Sequence, residues 1–248
     1  MKAKLVTYFS KQFPCNHCKI ERPIYPRHLD VIFKSKKGSR KFYDTFNISQ
    51  STESNPLAET IWTNIIQNEN LQIDKKQIWN NIYQICFYSV RDNNVIWFQY
   101  RILNKILGSK DYLKKLKITT DNMCSFCGKY EENIDHLFNK CKEVTSLWTN
   151  IERWIKNKLG VNVTLTTPMK ILGYLIRDEN FWPLNLVLIV TRRYIFWCSK
   201  NNFHLNIYFL QKEVRKTYDE QEALSKMNLQ FDTFNRKWVF WKNLFIGI

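Results

Sequence analysis

The segment CSFCGKYEENIDHLFNKC, Cys124 to Cys141, carries three cysteines and a histidine at the spacing C-x2-C-x8-H-x4-C. Two cysteines separated by two residues aim both sulfurs at one ion from a tight turn, and Gly128, next in the chain, lets the backbone fold over that ion. His136 and Cys141 lie five positions apart, so about one helical turn brings the imidazole and the third sulfur to the same point. Three thiolates and one imidazole match Zn²⁺ in softness and in tetrahedral geometry, and four protein ligands leave no position for a reactive water. The segment reads as one structural zinc site, a CCHC knuckle with Cys124, Cys127, His136 and Cys141 as ligands. Three thiolates around one dication leave one negative charge, which Lys129, Lys140 and Lys142 stand near enough in sequence to offset.

On both sides of the knuckle the apolar residues repeat with the period of a helix. From Leu57 to Gln67 they fall at 57, 61, 62, 65 and 66, and from Ile78 to Phe87 at 78, 79, 82, 83 and 86. Between Val95 and Leu107, Phe98, Ile102, Leu103 and Ile106 face one way, with Gly108 as the expected stop. Lys110 to Lys117 is a short basic segment. Beyond the knuckle, Val144, Leu147, Trp148, Ile151, Ile155 and Leu159 define an amphipathic helix closed by Gly160. Thr167 before Pro168 marks another helix start, with the Thr hydroxyl as its cap. Helical patterning continues over Trp182 to Lys200, Leu205 to Leu229 and Asp232 to Phe245. Gly and Pro together number only 12 of 248 residues, about 5% against a usual 12%, and so few turn formers fit a helical chain. Strands have almost no place. The expected fold class is all-α, a bundle-like helical region stapled by the zinc knuckle. Its expected parts are an irregular lead-in and linker at 1–56, a helical region holding the knuckle at 57–160, and a C-terminal helical region at 161–248.

The charge points to a polyanion. With 38 Lys and Arg against 22 Asp and Glu, the net charge is +16 and the pI about 9.5. The chain is also rich in Lys, Ile, Phe, Tyr and Asn, the residues that A/T-rich codons produce, so codon bias is the competing source of the basicity. Arg101 to Lys117 concentrates the charge, with six basic residues against Asp111. Arg101, Lys105, Lys110, Lys114, Lys115 and Lys117 supply phosphate contacts, and Tyr112 offers a ring for stacking on an unpaired base. Phe126, Tyr130 and Lys129 extend this candidate nucleic-acid surface onto the knuckle, while Phe138 packs inside. A solvated basic helix face is the alternative. The longest apolar run, Leu184 to Val190, ends at Arg192 and Arg193 and is far short of the roughly 20 residues of a spanning helix, so no membrane partner is expected. No signal peptide is visible, and seven cysteines in a chain read as intracellular suggest metal or free thiols. Cys86 and Cys198 read as small buried hydrophobes. Cys15, His17, Cys18 and His28 form a weaker candidate for a second metal site. Trp148, Trp154, Trp197, Trp238 and Trp241 read as core residues, and His204 has no pattern that gives it a role.

The same residues carry a resemblance. WFQYRILNKIL at Trp97 to Leu107, CSFC at 124 to 127, Glu132 with Asn133, HLF at 136 to 138, Cys141 and Trp148 follow one another as in the zinc-binding region after the polymerase of non-LTR (LINE-type) retrotransposon reverse transcriptases. Asn133 stands where that family has Thr, and Lys140 where it commonly has an acid. The resemblance is strong from 95 to 155 and extends loosely from the KGSRKFYDTFN stretch at Gly38 to about Trp241, with Asn185, Arg193, Trp197 and Glu213 as weak landmarks. It implies a region that contacts element RNA, or the junction of RNA and target DNA, during target-primed reverse transcription. It also implies upstream reverse transcriptase domains as partners and a ribonucleoprotein location in nucleus and cytoplasm. The sequence contains no Asp-Asp pair of the kind that holds catalytic metal ions in such polymerases, and no endonuclease constellation. The expectation is therefore a non-catalytic piece of a larger polyprotein, with Met1 an internal methionine. The alternatives are a structural or protein-interaction zinc module and a truncated, non-functional element copy.

Overall fold

The computed structural model describes residues 58–67, 75–90, 92–176 and 178–247. The lead-in at 1–56 and the Cys15, His17, Cys18 and His28 group lie outside them. The described residues are helical: α1 (Ala58–Gln67), α2 (Lys75–Ser89), α3 (Asn93–Leu103), α4 (Lys110–Lys115), α5 (Lys142–Leu159), α6 (Thr167–Ile171), α7 (Trp182–Asn201), α8 (Ile207–Met227) and α9 (Phe231–Trp238). One wide turn spans His136–Lys140, and 3₁₀ turns span Glu179–Phe181 and Trp241–Phe245. Among the described residues there is no strand; a single bridge pairs Met123 with Glu131. The fold class is all-α. No helix among the described residues is long and apolar enough to cross a membrane.

α7 is the axis of the fold. Pro183 to Val190 are buried without interruption, and Thr191, Arg192, Tyr194, Ile195, Cys198 and Ser199 extend the burial along most of the helix. A helix apolar nearly all round has to be enclosed, and α2, α3, α6, α8, α9 and the His136–Lys140 turn all pack on it. The run Leu184 to Val190 is thus buried inside the bundle. Helices before and after residue 160 contribute to one continuous apolar cluster. Cys86 and Cys198 are buried in it as small hydrophobes, as their sequence context suggests.

Two polar devices sit inside this core. Arg192 is fully buried; its Nε donates to Gln99 Oε1 (3.1 Å) and its Nη1 to the carbonyls of Met169 (3.3 Å) and Lys170 (3.4 Å) in α6. Gln99 Nε2 in turn lies close to the Ile171 and Leu172 carbonyls (3.3 and 3.4 Å). The cation therefore rests on the carbonyl end of a short helix, where partial negative charge favours it. Burial pulls Arg192 down to about 10, and burial likewise pushes the neighbouring Cys86 thiol up to about 11, so at neutral pH the pair is a cation beside a neutral thiol. The second device is Gly173. Its φ is +106°, and a Cβ there would come within 2.8 Å of Asn185 Oδ1 and 3.1 Å of Ile85 Cδ1. That approach lets Asn185 Oδ1 accept the Tyr174 N–H at 2.7 Å, which gives the otherwise apolar α7 a side-chain anchor on the loop after α6.

The helix ends depart from the sequence reading. α3 stops at Leu103, not at Gly108. Lys105 adopts φ +52°, its N–H reaches Ile102 O (3.1 Å), and the Ile106 N–H reaches Arg101 O (2.9 Å), which is a Schellman closure with lysine in the usual glycine position. α4 closes in the same way through Lys117 (φ +58°), and α8 through Leu229 (φ +55°). A chain with six glycines caps these helices with residues that must be forced left-handed. The basic segment at Lys110 forms a helix because Ser109 and the chain before it are fixed against the knuckle. Thr167 opens α6 without capping it; Thr166 holds the cap position, and its hydroxyl has no partner among the described residues. The pattern from Asp232 to Phe245 breaks into α9 and the 3₁₀ turn.

Residues with positive φ yield opposite expectations. Gly173→Ala should cost about 2 kcal/mol or more, since it adds left-handed strain to a close contact, whereas Leu229→Gly, at a 94% exposed cap, should stabilise the fold by about 1 kcal/mol. Denaturant midpoints of the two variants measure both, and equal midpoints would refute the assignment.

Candidate metal centre and the surface around it

The knuckle is built from two turns. In the first, the Gly128 N–H donates to Cys124 O (2.9 Å) and the Cys124 N–H to Tyr130 O (2.8 Å), closing a loop that turns both sulfurs inward. Gly128 has φ +61° and open space where a Cβ would stand, so glycine is needed for its backbone angle alone. In the second, Asn133 Oδ1 accepts the His136 N–H (2.8 Å), and the Cys141 N–H reaches back five residues to His136 O (2.9 Å). A turn one residue wider than an α-helix sets Cys141 directly after His136 on the same side. Asn133 therefore caps the ligand-bearing turn as a Thr would.

The ligand atoms of Cys124, Cys127, His136 and Cys141 all lie within 4.8 Å of one another. Cys124 Sγ is 3.8 Å from Cys141 Sγ, and Cys127 Sγ is 3.4 Å from His136 Nε2. For a tetrahedron with Zn–S of about 2.3 Å and Zn–N of about 2.0 Å, the edges are about 3.7 Å between sulfurs and about 3.5 Å from sulfur to nitrogen. Both separations fit that figure and are far beyond a disulfide bond. The contact between Cys124 and Cys141 raises the Cys124 thiol and lowers Cys141, with the hydrogen bond between them as the main cause in each. Cys124, His136 and Cys141 are buried and Cys127 half-buried.

Three contacts fasten the knuckle to the bundle. Leu137 and Phe138 have no exposed surface. Trp148 Nε1 donates to Phe138 O (2.8 Å), which fixes α5 against the ligand turn. The third contact has no counterpart in the sequence reading. Glu132 is completely buried, and its carboxylate accepts the Lys110 N–H (3.2 Å), the Ser125 N–H (3.2 Å) and hydroxyl (2.9 Å), and the Ser199 hydroxyl (3.0 Å), with Lys200 Nζ at 3.4 Å. One carboxylate thus joins the first turn of α4, the cysteine turn and the last turns of α7. Glutamate is almost never buried without partners, but the partners lie up to 68 positions away, so only its place beside Asn133 in the motif marked it.

The candidate nucleic-acid residues divide into groups. Lys105, Tyr112 and Lys115 meet around a cleft of about 390 Å³ that Trp62, Asp111 and Asp135 also line. There the Lys105 ammonium lies 5.1 Å over the Trp62 ring, and burial lowers its pKa. Lys115 pairs with Asp111 (2.9 Å), and Lys110 with Asp121 (2.9 Å). Arg101, Lys114, Lys117 and Lys129 are exposed, and their side chains make no hydrogen bond or ion pair among the described residues. Lys140 pairs with Asp135 (2.5 Å). Phe126 is half-buried and lines a different groove, and Tyr130 is exposed with its ring 5.5 Å from that of His136. Of the five tryptophans read as core, Trp148, Trp154, Trp238 and Trp241 are buried, but Trp197 is 52% exposed, because it falls on the outer stripe of α7.

A helical scaffold that gathers three cysteines and a histidine defines the class of a small zinc-binding region. Residues 57–148, from α1 to the second turn of α5, match the family described as zinc-binding in reverse transcriptase, which supports a zinc-binding region of that kind in this part of the chain. No curated protein and no solved structure matches the chain.

Cys127→Ser should abolish stoichiometric metal in the purified protein and unfold the knuckle, since zinc supplies about 10 kcal/mol or more in small sites; full metal retention would refute the ligand set. Glu132→Ala should cost about 3 kcal/mol or more by stranding the Lys200 ammonium and four donors, with a smaller loss for Lys200→Ala, whose side chain is 30% exposed. Denaturant unfolding of the zinc-loaded Glu132→Ala and Lys200→Ala proteins ranks these two.

Proposed function

We propose that this chain is a non-catalytic, zinc-stapled nucleic-acid-binding region of a non-LTR, LINE-type reverse transcriptase. One structural zinc, held by Cys124, Cys127, His136 and Cys141, fixes the shape; exposed cations of α3, α4 and the knuckle neutralise phosphates. The observation that carries this reading is that the basic stretch Arg101 to Lys117 is anchored to the metal centre through Glu132, which takes the Lys110 N–H at the start of α4. Arg101, Lys114, Lys117 and Lys129 are the cations best placed for phosphate, since their side chains form no ion pair among the described residues, while Lys105 and Tyr112 share a cleft suited to a base and its phosphate. Contacts of this kind tolerate any sequence. The natural ligand in this reading is element RNA or its junction with target DNA, met inside the cell as a ribonucleoprotein, with the polymerase chemistry supplied by upstream reverse transcriptase domains.

A second reading, a brace that only supports a polymerase or a protein partner, draws on the ion pairs that hold Lys110 and Lys115. Salt separates the two. Binding to a single-stranded RNA should weaken linearly in log affinity against log salt, and Lys114→Glu with Lys117→Glu should reduce the slope by about 1.4, two contacts at about 0.7 each. Absence of binding at low salt would leave the brace.

A further inference from the structure

A groove of about 480 Å³ runs between the cysteine turn, α5 and the turn joining α7 to α8. Phe126 and Phe203 with three aliphatic side chains form its apolar wall, and Asn150, Asn202, His204 and Glu143 stand among its polar lining. Asn150 Oδ1 accepts from Arg153 Nη1 (3.0 Å), which commits the amide oxygen, leaves the NH₂ for a ligand and places a guanidinium at the edge. Outside the groove, the Phe203 ring is stacked on Trp197, centroids 5.0 Å apart and planes within 20°, and both rings are 52% exposed. The two walls are tied together: Ser125 on one side and Ser199 and Lys200 on the other all bind the Glu132 carboxylate.

We propose that the Trp197–Phe203 platform and the groove behind it receive unpaired bases of a single-stranded nucleic acid. This rests on the nucleic-acid reading above and adds to it a second surface and a preference for unpaired strand. Exposed stacked rings offer a face to any base, and amide groups beside an apolar wall complement base edges. Bases in a duplex are already stacked and cannot reach such a groove. The charge favours a polyanion: the chain carries +16, and Arg153 and Lys200 flank the two parts of the surface. The polar lining, two asparagines, two serines and a histidine beside the apolar wall, suits base edges better than the apolar face of a protein helix.

The test uses the full zinc-loaded chain, with a labelled unstructured RNA strand and a duplex of equal length followed by fluorescence anisotropy. Trp197→Ala and Phe203→Ala should each weaken strand binding about tenfold or more, the range for loss of one stacked base, and leave duplex affinity, zinc content and the salt slope unchanged. Photocrosslinking of an iodouridine-bearing strand to unaltered protein should label the peptide that contains Trp197 and Phe203, a readout independent of variant folding. Unchanged strand affinity in both variants, with the salt slope still reduced in the Lys114→Glu and Lys117→Glu protein, overturns the groove and spares the nucleic-acid reading. No binding of either ligand by unaltered protein overturns both. A fall from dimer to monomer in the aromatic variants, with strand affinity intact, assigns the face to a second copy of the chain.

Discussion

Glu132 is a carboxylate with no exposed surface, and its burial is tolerable only because five polar groups converge on it. Each donor comes from a part of the chain that would otherwise be free to shift: the start of α4, the cysteine turn and the end of α7. A buried charge left with one donor fewer is costly, so the network behaves as a unit. It makes the position of the metal centre on the bundle a discrete choice, because a small displacement would break several hydrogen bonds together. The cysteine and histidine cluster and the carboxylate have complementary tasks. The four ligands define the internal shape of the knuckle, and Glu132 defines where that shape sits.

The bundle beneath is organised around a helix with little amphipathic character. α7 is enclosed by seven other elements, and inside such an environment polar groups set register while apolar groups supply cohesion. Arg192 resting on the carbonyls of α6, and Asn185 reaching the turn at Gly173, do this at two points of the same helix. Together they determine the course of α7 and thus where Ser199, Lys200 and Trp197 emerge. The surface around the knuckle is accordingly a product of the whole core.

Sequence and structure agree where a local rule had no competitor. The ligand spacing, the helix period on both sides of the knuckle, the Gly160 stop and the burial of Phe138 and Trp148 follow from residues near one another in the chain. Disagreement is confined to positions where distant packing overrides local preference. Gly108 is the obvious stop for α3, but the helix had already closed at Lys105, since an αL cap can be imposed on lysine when the surrounding contacts require it. Trp197 carries a core residue type and faces solvent, because one helix enclosed along most of its surface still has an outer stripe. Lys110 and Lys115 read as free cations and are ion-paired.

By itself the amino-acid sequence determined an all-α chain, a candidate set of three cysteines and a histidine and a concentration of positive charge beside it, because spacing, periodicity and composition are properties of neighbours along the chain. Which cations remain unpaired, where a glutamate can be buried and which aromatic rings lie outside were decided only by tertiary structure. Those outcomes depend on partners brought from as far as 68 positions away, and no short-range pattern encodes the cost of leaving a buried charge unsatisfied until the fold has enclosed it.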